Sequence, residues 1–188
     1  MYDKEIRKAL KGFLMNRKPS PSKIVDELKV NNGFARADVV ALYKYAHCFE
    51  IKGDKDSLSR VSNQVSQYDL AFKKITIVTT SKLLDSLELK IPDYWGILLA
   101  EKNDDDITFK YLRKANSNPN FNGEVALLSL WKDELIAVNS VIGKTQIAKS
   151  QRRESIAQKL SEESTLADIA SAVSQALFNR EPFSAISK

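Results

Sequence analysis

The stretch ADVVALYKYAHCFEIK, residues 37–52, decides the fold. Two strand-like runs, ADVVALY and HCFEIK, flank a three-residue turn, and this arrangement predicts an antiparallel β-hairpin. Side chains alternate between the two faces of a strand, so Phe49 and Ile51 share one face and can enter the core. Glu50 and Lys52 then share the opposite face.

Two carboxylates and one ammonium group meet on that opposite face, because Asp38 lies on the neighbouring strand. Mg²⁺ prefers oxygen ligands and is usually held by one or two carboxylates together with substrate phosphate. Asp38, Glu50 and the carbonyl of Ile51 would supply such a set, while Lys52 could hold or deprotonate the attacking water. A structural salt bridge between Glu50 and Lys52 on an exposed sheet face is the alternative.

Apolar spacing predicts further elements on both sides of the hairpin. Residues 2–17 show the spacing of an amphipathic helix. Residues 20–30 predict a second helix, with Ser20 as N-cap and Pro21 at the first helical position. Residues 55–73 return to helical spacing. Strand, helix, strand and edge strand are then predicted, in that order, for KITIVTT, SKLLDSLEL, YWGILLAE and DITFKYLRKA. This order predicts an α/β sheet with crossover helices.

The loop NSNPNFNG, residues 116–123, is the best candidate for a domain boundary because it is rich in Asn, Pro and Gly. We therefore divide the chain into a core of residues 1–115 and a helical extension of residues 116–188. Within the extension, KSQRR (residues 149–153) could touch a DNA backbone or could form a solvated helix face or hinge. Trp95 and Trp131 lie in apolar surroundings, which predicts core packing for both.

Composition limits the chemistry. The 188 residues carry a formal net charge of +5, which mildly favours a polyanionic partner. The one cysteine, Cys48, excludes an internal disulfide. With one histidine, His47, the chain cannot build a zinc site from several His ligands, and no further histidine is present for a Ser-His-Asp triad.

The sequence shows no signal-peptide pattern and no apolar run of roughly 20 residues, so we expect a soluble, cytoplasmic protein.

The order of these residues resembles the PD-(D/E)xK nuclease superfamily, which includes restriction endonucleases and Holliday-junction resolvases. Its members carry an Asp at the start of one strand, Glu/Asp-x-Lys on the next and then a helix. Asp38 matches the first acid, and Glu50 and Lys52 match the second element. Ala37 stands where the family name has proline, so the sequence departs from the family pattern there.

The resemblance extends to two helices. It implies a metal-proximal glutamate on the first helix, which Glu5 matches, with Asp3 as a weaker candidate. Members related to recombination nucleases carry Gln-x-x-x-Tyr after the lysine, which Gln64 and Tyr68 match. Residues four apart share a helix face, so both could reach one phosphate or metal-bound water, and Arg60 extends that stripe. Tyr68 also fits the apolar stripe of the helix and could equally be a core tyrosine.

The resemblance implies an α/β fold with a restriction-endonuclease-like mixed sheet flanked by helices, followed by a C-terminal helical extension. The implied activity is that of a Mg²⁺- or Mn²⁺-dependent endodeoxyribonuclease of bacterial or phage origin, with DNA as partner and a homodimer left open. Candidate contacts to nucleic acid are Arg60, Lys149, Arg152 and Arg153. The alternative is a non-catalytic DNA-binding or regulatory protein with the same fold. An oligomeric structural protein is a third, weaker interpretation.

Overall fold

The computed structural model describes residues 1–104, 106–144, 146–148 and 150–181. The helices are α1 (Asp3–Met15), α2 (Val61–Ala71), α3 (Leu84–Glu88), α4 (Gly123–Leu127), α5 (Lys132–Ile142), α6 (Arg153–Glu163) and α7 (Leu166–Asn179). The strands are β1 (Lys23–Val30), β2 (Ala35–Leu42), β3 (Ala46–Lys52), β4 (Lys74–Thr79), β5 (Gly96–Asn103) and β6 (Asp106–Arg113). Short 3₁₀ turns lie at Asn31–Gly33 and Leu58–Arg60.

Within the described residues the strands form one six-stranded sheet in the order β1-β2-β3-β4-β5-β6. β1, β2 and β3 are antiparallel neighbours, β3, β4 and β5 run parallel, and β6 is antiparallel to β5. The prediction of an α/β fold with a mixed sheet flanked by helices is therefore confirmed. The sheet leaves β1 and β6 as its two edge strands.

Helix α1 covers one face of the sheet. Ile6, Leu10 and Leu14 recur every four residues and are buried, so they form one apolar stripe along the helix. The stripe shares a buried cluster with sheet residues Val39, Ala41, Phe49, Ile51, Val78, Leu98 and Ala100. The prediction that Phe49 and Ile51 are core residues is confirmed, and the cluster fixes α1 above β2 and β3.

The other face of the sheet is covered by α2 together with the C-terminal helices. Cys48, on the Glu50 side of β3, belongs to one buried cluster with Leu127, Ile156 and Leu177 from α4, α6 and α7. The loop at residues 116–123 marks the change from strands to helices. Its Asn118 donates to the carbonyl oxygens of Asp69 and Phe72 at 2.6 and 2.8 Å, so the loop is fastened to the end of α2. The C-terminal helices thus complete the core of the sheet.

The helix predicted over residues 20–30 is wrong, because β1 occupies most of that range. Glu27 has a φ of 57° and lies unpaired between the Asp26–Val39 and Leu28–Ala37 pairs. This irregularity shifts the side-chain alternation by one residue, so the strand shows no simple period of two. Its apolar residues then imitate helical spacing.

Two predictions for the C-terminal half are also corrected. Helix α6 begins only at Arg153, so the predicted helical extension is not helical over the described part of residues 144–152. Trp95 is 1% exposed, as predicted, but Trp131 is 45% exposed. Trp131 lies at the start of α5, where its ring packs against the guanidinium of Arg180 at 4.4 Å from the ring centre.

The predicted hairpin is confirmed, and the candidate site lies at its open end. β2 and β3 pair only from Leu42–Ala46 to Val39–Phe49. Beyond that pair, β2 continues beside β1, while β3 continues beside β4. The two strands therefore separate at Asp38 and Glu50. Among the described helices, none is long and apolar enough to cross a membrane.

Candidate nuclease-like site

The cleft between the separating strands is bridged by Asp38. Its Oδ2 accepts a hydrogen bond from the backbone N–H of Ile51 at 2.9 Å, so the carboxylate takes the place of a missing strand-to-strand bond. The side chain of Asp38 is 19% exposed. The first acid of the predicted motif thus lies at the mouth of the cleft, and the second element lies directly across from it.

Glu50 lies deeper in the cleft and is surrounded by donors. Lys52 donates to its Oε1 at 2.7 Å, and the Gln64 side-chain amide donates to the same oxygen. The hydroxyl of Tyr68 lies 2.8 Å from Oε2. The salt bridge between Glu50 and Lys52, which was the alternative interpretation, is present, but at 2% and 5% exposure the two residues are buried and do not lie on an exposed sheet face. A buried carboxylate needs these partners, because an unpaired charge there would be strongly destabilising.

Helix α2 carries Gln64 and Tyr68, whose side chains both contact Glu50. The two residues are four positions apart and share one helix face, which packs on the sheet through Val61 and Tyr68 itself. Tyr68 therefore is both a core residue and a site residue. Its hydroxyl lies 2.8 Å from the carbonyl oxygen of Arg36 as well, and it can donate its proton to one acceptor at a time. Burial raises the pKa of Tyr68 far above its usual value, so the hydroxyl acts as a neutral donor.

Arg7 is the site residue that the sequence did not reveal. From α1 it donates to Oδ1 of Asp38 at 2.9 Å, to Asp3 at 3.2 Å and to Glu27 at 2.5 Å. Asp3, the weaker candidate, therefore joins the cluster through Arg7. Glu5 does not: it is exposed, and its carboxylate accepts from the backbone N–H of Tyr2 at 2.9 Å as part of the N-terminal cap of α1. The pair Asp3 and Arg7, four residues apart, was the available sequence signal.

Burial and neighbouring charges change the pKa values of the acids in the cleft. The pKa of Asp38 is raised to about 6, mainly by burial and then by the nearby Glu50 charge, against the opposing effects of the Ile51 N–H, Arg7 and Lys52. Burial is also the largest cause of the raised pKa of Asp3. Two carboxylates that are held close together in a buried cleft repel one another, and a positive ion between them would relieve that repulsion.

The oxygen atoms present fit a hard divalent cation such as Mg²⁺. Asp38 and Glu50 offer carboxylates, Ile51 offers a backbone carbonyl, and Oε1 of Gln64 is a buried acceptor without a donor in the described structure. Rotating the Gln64 amide by about 180° would not give Oε1 a donor, because Oε1 would then face the carboxylate of Glu50. No group of three or more His, Cys, Asp or Glu side chains suited to a metal occurs in the described residues. The fit therefore depends on donor chemistry, with water or substrate completing the coordination.

The predicted contacts to nucleic acid are dispersed. Arg60 is exposed at the start of α2, and Arg152 is exposed at the start of α6. Arg153 is half-buried, and it donates from Nε to the carbonyl of Leu130 at 2.7 Å and from its other nitrogens to Leu128 and Asn32. Lys149 lies outside the described residues. Arg60 is the predicted contact nearest to Gln64 along the chain.

Comparison with known proteins identifies the family. The family model described as Bacteriophage P4 protein cII matches residues 1–185. Protein cII of Enterobacteria phage P4 is 30% identical over 136 residues, which cover 72% of this chain and 52% of that protein. The chain thus spans about half the length of this curated relative. A solved structure, the SPO1766 protein of unknown function from Silicibacter pomeroyi, matches 82% of each chain at 15% identity with a TM-score of 0.42. Because the family model covers nearly every residue, the chain belongs to the bacteriophage P4 protein cII family.

Proposed function

We propose that the protein is a metal-dependent nuclease that hydrolyses phosphodiester bonds in DNA on a restriction-endonuclease-like core. One observation carries the proposal: Asp38, Glu50 and Lys52 meet where β2 and β3 separate, and Gln64 and Tyr68 reach Glu50 from the following helix. Beyond the Glu50–Lys52 ion pair, Gln64 and Tyr68 give Glu50 two further hydrogen-bond partners.

The order of the elements supports the same proposal. The resemblance to PD-(D/E)xK nucleases implies a helix, a hairpin that carries the acids, a second helix and a further strand. The chain has α1, the β2–β3 hairpin, α2 and β4 in that order, with β4 parallel to β3. Each candidate residue lies on the element that the resemblance assigns to it, except that Asp3 replaces Glu5 in the cluster.

Each side chain has a separate role in the proposed reaction. Asp38, Glu50 and the Ile51 carbonyl would hold the metal ion. Bound Mg²⁺ would supply Lewis-acid stabilisation of charge on the phosphate and an acidified water. Lys52, held in the cleft by Glu50, would orient the attacking water. Gln64 and Tyr68 keep the Glu50 carboxylate fixed in orientation, which limits the reorganisation needed during the reaction.

A second function is favoured by Arg7. Its guanidinium contacts Asp38, Asp3 and Glu27 together, so one protein cation already offsets part of their negative charge without a metal ion. A non-catalytic DNA-binding or regulatory protein would use this arrangement to hold α1 on the sheet. The two functions differ in one respect: only the nuclease requires a divalent ion for its effect on DNA.

Cleavage of a panel of labelled DNAs tests the proposal. Duplex, single-stranded, flap and junction DNAs are incubated with the protein in Mg²⁺, in Mn²⁺ and in EDTA, and products are resolved on denaturing gels. We expect cleavage with either metal ion and none in EDTA. Glu50→Gln and Asp38→Asn are expected to lower the rate at least about 100-fold, because each removes a metal ligand.

Glu101→Gln is the matched control, because Glu101 is an exposed glutamate on β5, away from the cleft. This variant should cleave at the wild-type rate. Thermal unfolding of every variant confirms that the chain is folded at the assay temperature. Equal cleavage by wild type, Glu50→Gln and Asp38→Asn would exclude the assigned site, and the absence of metal-dependent cleavage on any DNA would favour the binding protein.

A further inference from the structure

A groove of about 1050 Å³ runs along the edge strand β1 on the side away from β2. One wall is formed by residues 23–29, and the other by residues that precede α5 and follow α7, among them Trp131 and Arg180. None of the catalytic candidates lines this groove. It is therefore a second concave surface, distinct from the cleft at Asp38.

The charges in the groove are unevenly compensated. Lys23 is held by three neutral carbonyl oxygens at 2.6–3.3 Å near the end of α7, and Arg153 is likewise held by carbonyl oxygens. The carbonyl contacts orient Lys23 without cancelling its charge, whereas Arg153 also lies 3.9 Å from Glu154, and Arg180 is paired with Glu134 at 2.6 Å. Lys29 adds an exposed ammonium group on the edge strand. The groove therefore presents oriented positive charge.

Three acids line the groove, and two of them are paired with cations that do not line it. Asp26 is bonded to Lys11 at 2.7 Å, and Glu27 contacts both Arg7 and Arg36 at 2.5 Å. The third acid, Glu181, is exposed just after α7. Lys23 and Lys29 on β1 therefore supply the positive charge that attracts an anion along this strand.

The groove also contains apolar surface. Leu28 and Leu128 line it, and the indole of Trp131 stands at its wall with 45% of its surface exposed. A DNA duplex presents its phosphates outward and keeps the faces of its bases stacked inside. Its bases therefore cannot stack on an exposed aromatic ring. Single strands use both kinds of surface, because phosphates follow the cations while unpaired bases stack on aromatic rings.

The groove is connected to the candidate catalytic cleft. Glu27 lines the groove and contacts Arg7, and the same guanidinium contacts Asp38 at 2.9 Å. We infer that the groove along β1 binds single-stranded nucleic acid and guides it to the cleft. This inference rests on the proposed nuclease function for the fate of the strand, but binding in the groove can be measured without cleavage.

The test is fluorescence anisotropy in EDTA with a labelled oligothymidylate of about 12 nucleotides, within the roughly 4–16 nucleotides that one such groove spans. Lys29→Glu is expected to weaken binding about tenfold at low salt and to reduce the salt dependence. Trp131→Ala should weaken it at least about fivefold, because a stacking platform is lost. A duplex of the same length should compete poorly.

Lys110→Glu is the matched control, because Lys110 is an exposed lysine on β6, the opposite edge strand. Its affinity should equal that of wild type. Tryptophan fluorescence gives a second readout: the protein has two tryptophans, and Trp95 is fully buried, so quenching on binding reports Trp131. Quenching that is lost in Trp131→Ala supports the inference.

Wild-type affinity in both groove variants would overturn the inference and would leave the edge of β1 as a surface for an extended peptide. Equal competition by the duplex would overturn it as well. The outcome is separate from that of the cleavage assay. If the groove variants bind weakly in EDTA while no DNA is ever cleaved, the groove stands and the nuclease proposal fails. If both groove variants bind and cleave DNA like wild type, the groove inference fails and the nuclease proposal stands.

Discussion

The guanidinium of Arg7 donates from Nη2 to the side chain of Asp38 at 2.9 Å and from Nη1 to the backbone carbonyl of the same residue at 3.2 Å. One cation thus fixes both the position of the strand and the direction of its carboxylate. Because Arg7 lies on α1, the helix on one face of the sheet controls the acid at the mouth of the cleft.

Replacing Arg7 by Gln should raise the pKa of Asp38 above about 6, because the guanidinium favours the ionised form. The pair exists only above that pKa, so the loss of stability should be larger at pH 8 than at pH 5. We expect a loss of about 1–3 kcal/mol at pH 8. Carboxyl NMR titration gives the pKa, and urea unfolding gives the stability. Lys8→Gln, at an exposed position of α1, is the control.

Tyr68→Phe should reduce cleavage at least about tenfold and lower the free energy of unfolding by about 1–2 kcal/mol, because Glu50 loses a donor. Tyr94→Phe provides the comparison. The Tyr94 hydroxyl donates to Asp69 at 2.5 Å; Asp69 follows Tyr68 on α2, but this bond does not involve Glu50, so its loss should cost similar stability and leave cleavage unchanged. If both variants lost activity in proportion to their stability, Tyr68 would have only a structural role.

Lys52→Gln separates catalysis from binding. Lys52 is assigned to the water and not to the metal, so the variant should bind DNA in Ca²⁺ or EDTA like wild type and cleave at least about 100-fold more slowly in Mg²⁺. Lys55→Gln, an exposed lysine three residues later, should cleave normally. Normal cleavage by folded Lys52→Gln would remove Lys52 from the reaction.

His47 gives the protein an acid-sensitive position outside the cleft. Burial lowers its pKa to about 3, with a smaller contribution from Lys74, so the folded state keeps the imidazole neutral while the unfolded state charges below pH 6.5. The unfolded state then binds more protons, and the contribution of His47 to stability falls from pH 6.5 toward pH 3, by up to about 1.4 kcal/mol per pH unit.

The difference in unfolding free energy between wild type and His47→Gln, measured against pH, isolates this effect from the titration of Asp38, which has the opposite sign. The imidazole Nε2 lies 2.9 Å from the hydroxyl of Thr76, and Gln can replace that contact. A difference that does not change between pH 7 and pH 5 would show that His47 titrates normally in the folded protein.

The hairpin and the acids of the cleft were accessible from sequence because alternation along HCFEIK separates Glu50 from Phe49. Gln64 and Tyr68 were predicted from the family resemblance, and helical spacing adds only that they share one face. The packing of α1 over Asp38 was not accessible, since no local pattern states which face a helix covers. Edge strand β1 was also missed, because the irregular residue Glu27 breaks the alternation that identifies strands.

Trp131 and Arg153 show a second limit of local patterns. Apolar neighbours in sequence predicted a buried indole, but Trp131 lies at the start of α5, where its ring packs on Arg180 and faces the groove. The sequence pattern predicts a surface charge at Arg153, but its side chain donates a hydrogen bond to a backbone carbonyl in the segment that follows α4. Both positions depend on which helix ends meet, and this is a property of the assembled fold.

A chain shortened after Ala115 should fail to fold. Its sheet would lose Leu127, Ile156 and Leu177 from the shared buried cluster and expose the apolar face that includes Cys48. We expect insoluble or molten material, measured by circular dichroism and size-exclusion chromatography. A chain that ends at Glu181 keeps every described element and should remain folded. A soluble, cooperatively unfolding chain of residues 1–115 would instead support the division into a core and an extension.

The shared core has a consequence for synthesis of the protein. All residues of the cleft lie within the first 68 positions, so they leave the ribosome long before the helices that cover the sheet. A nascent chain therefore carries the complete set of proposed catalytic groups while one face of its sheet is still bare. Because that face is closed only by later residues such as Leu177, we expect activity to appear only after α7 has been synthesised.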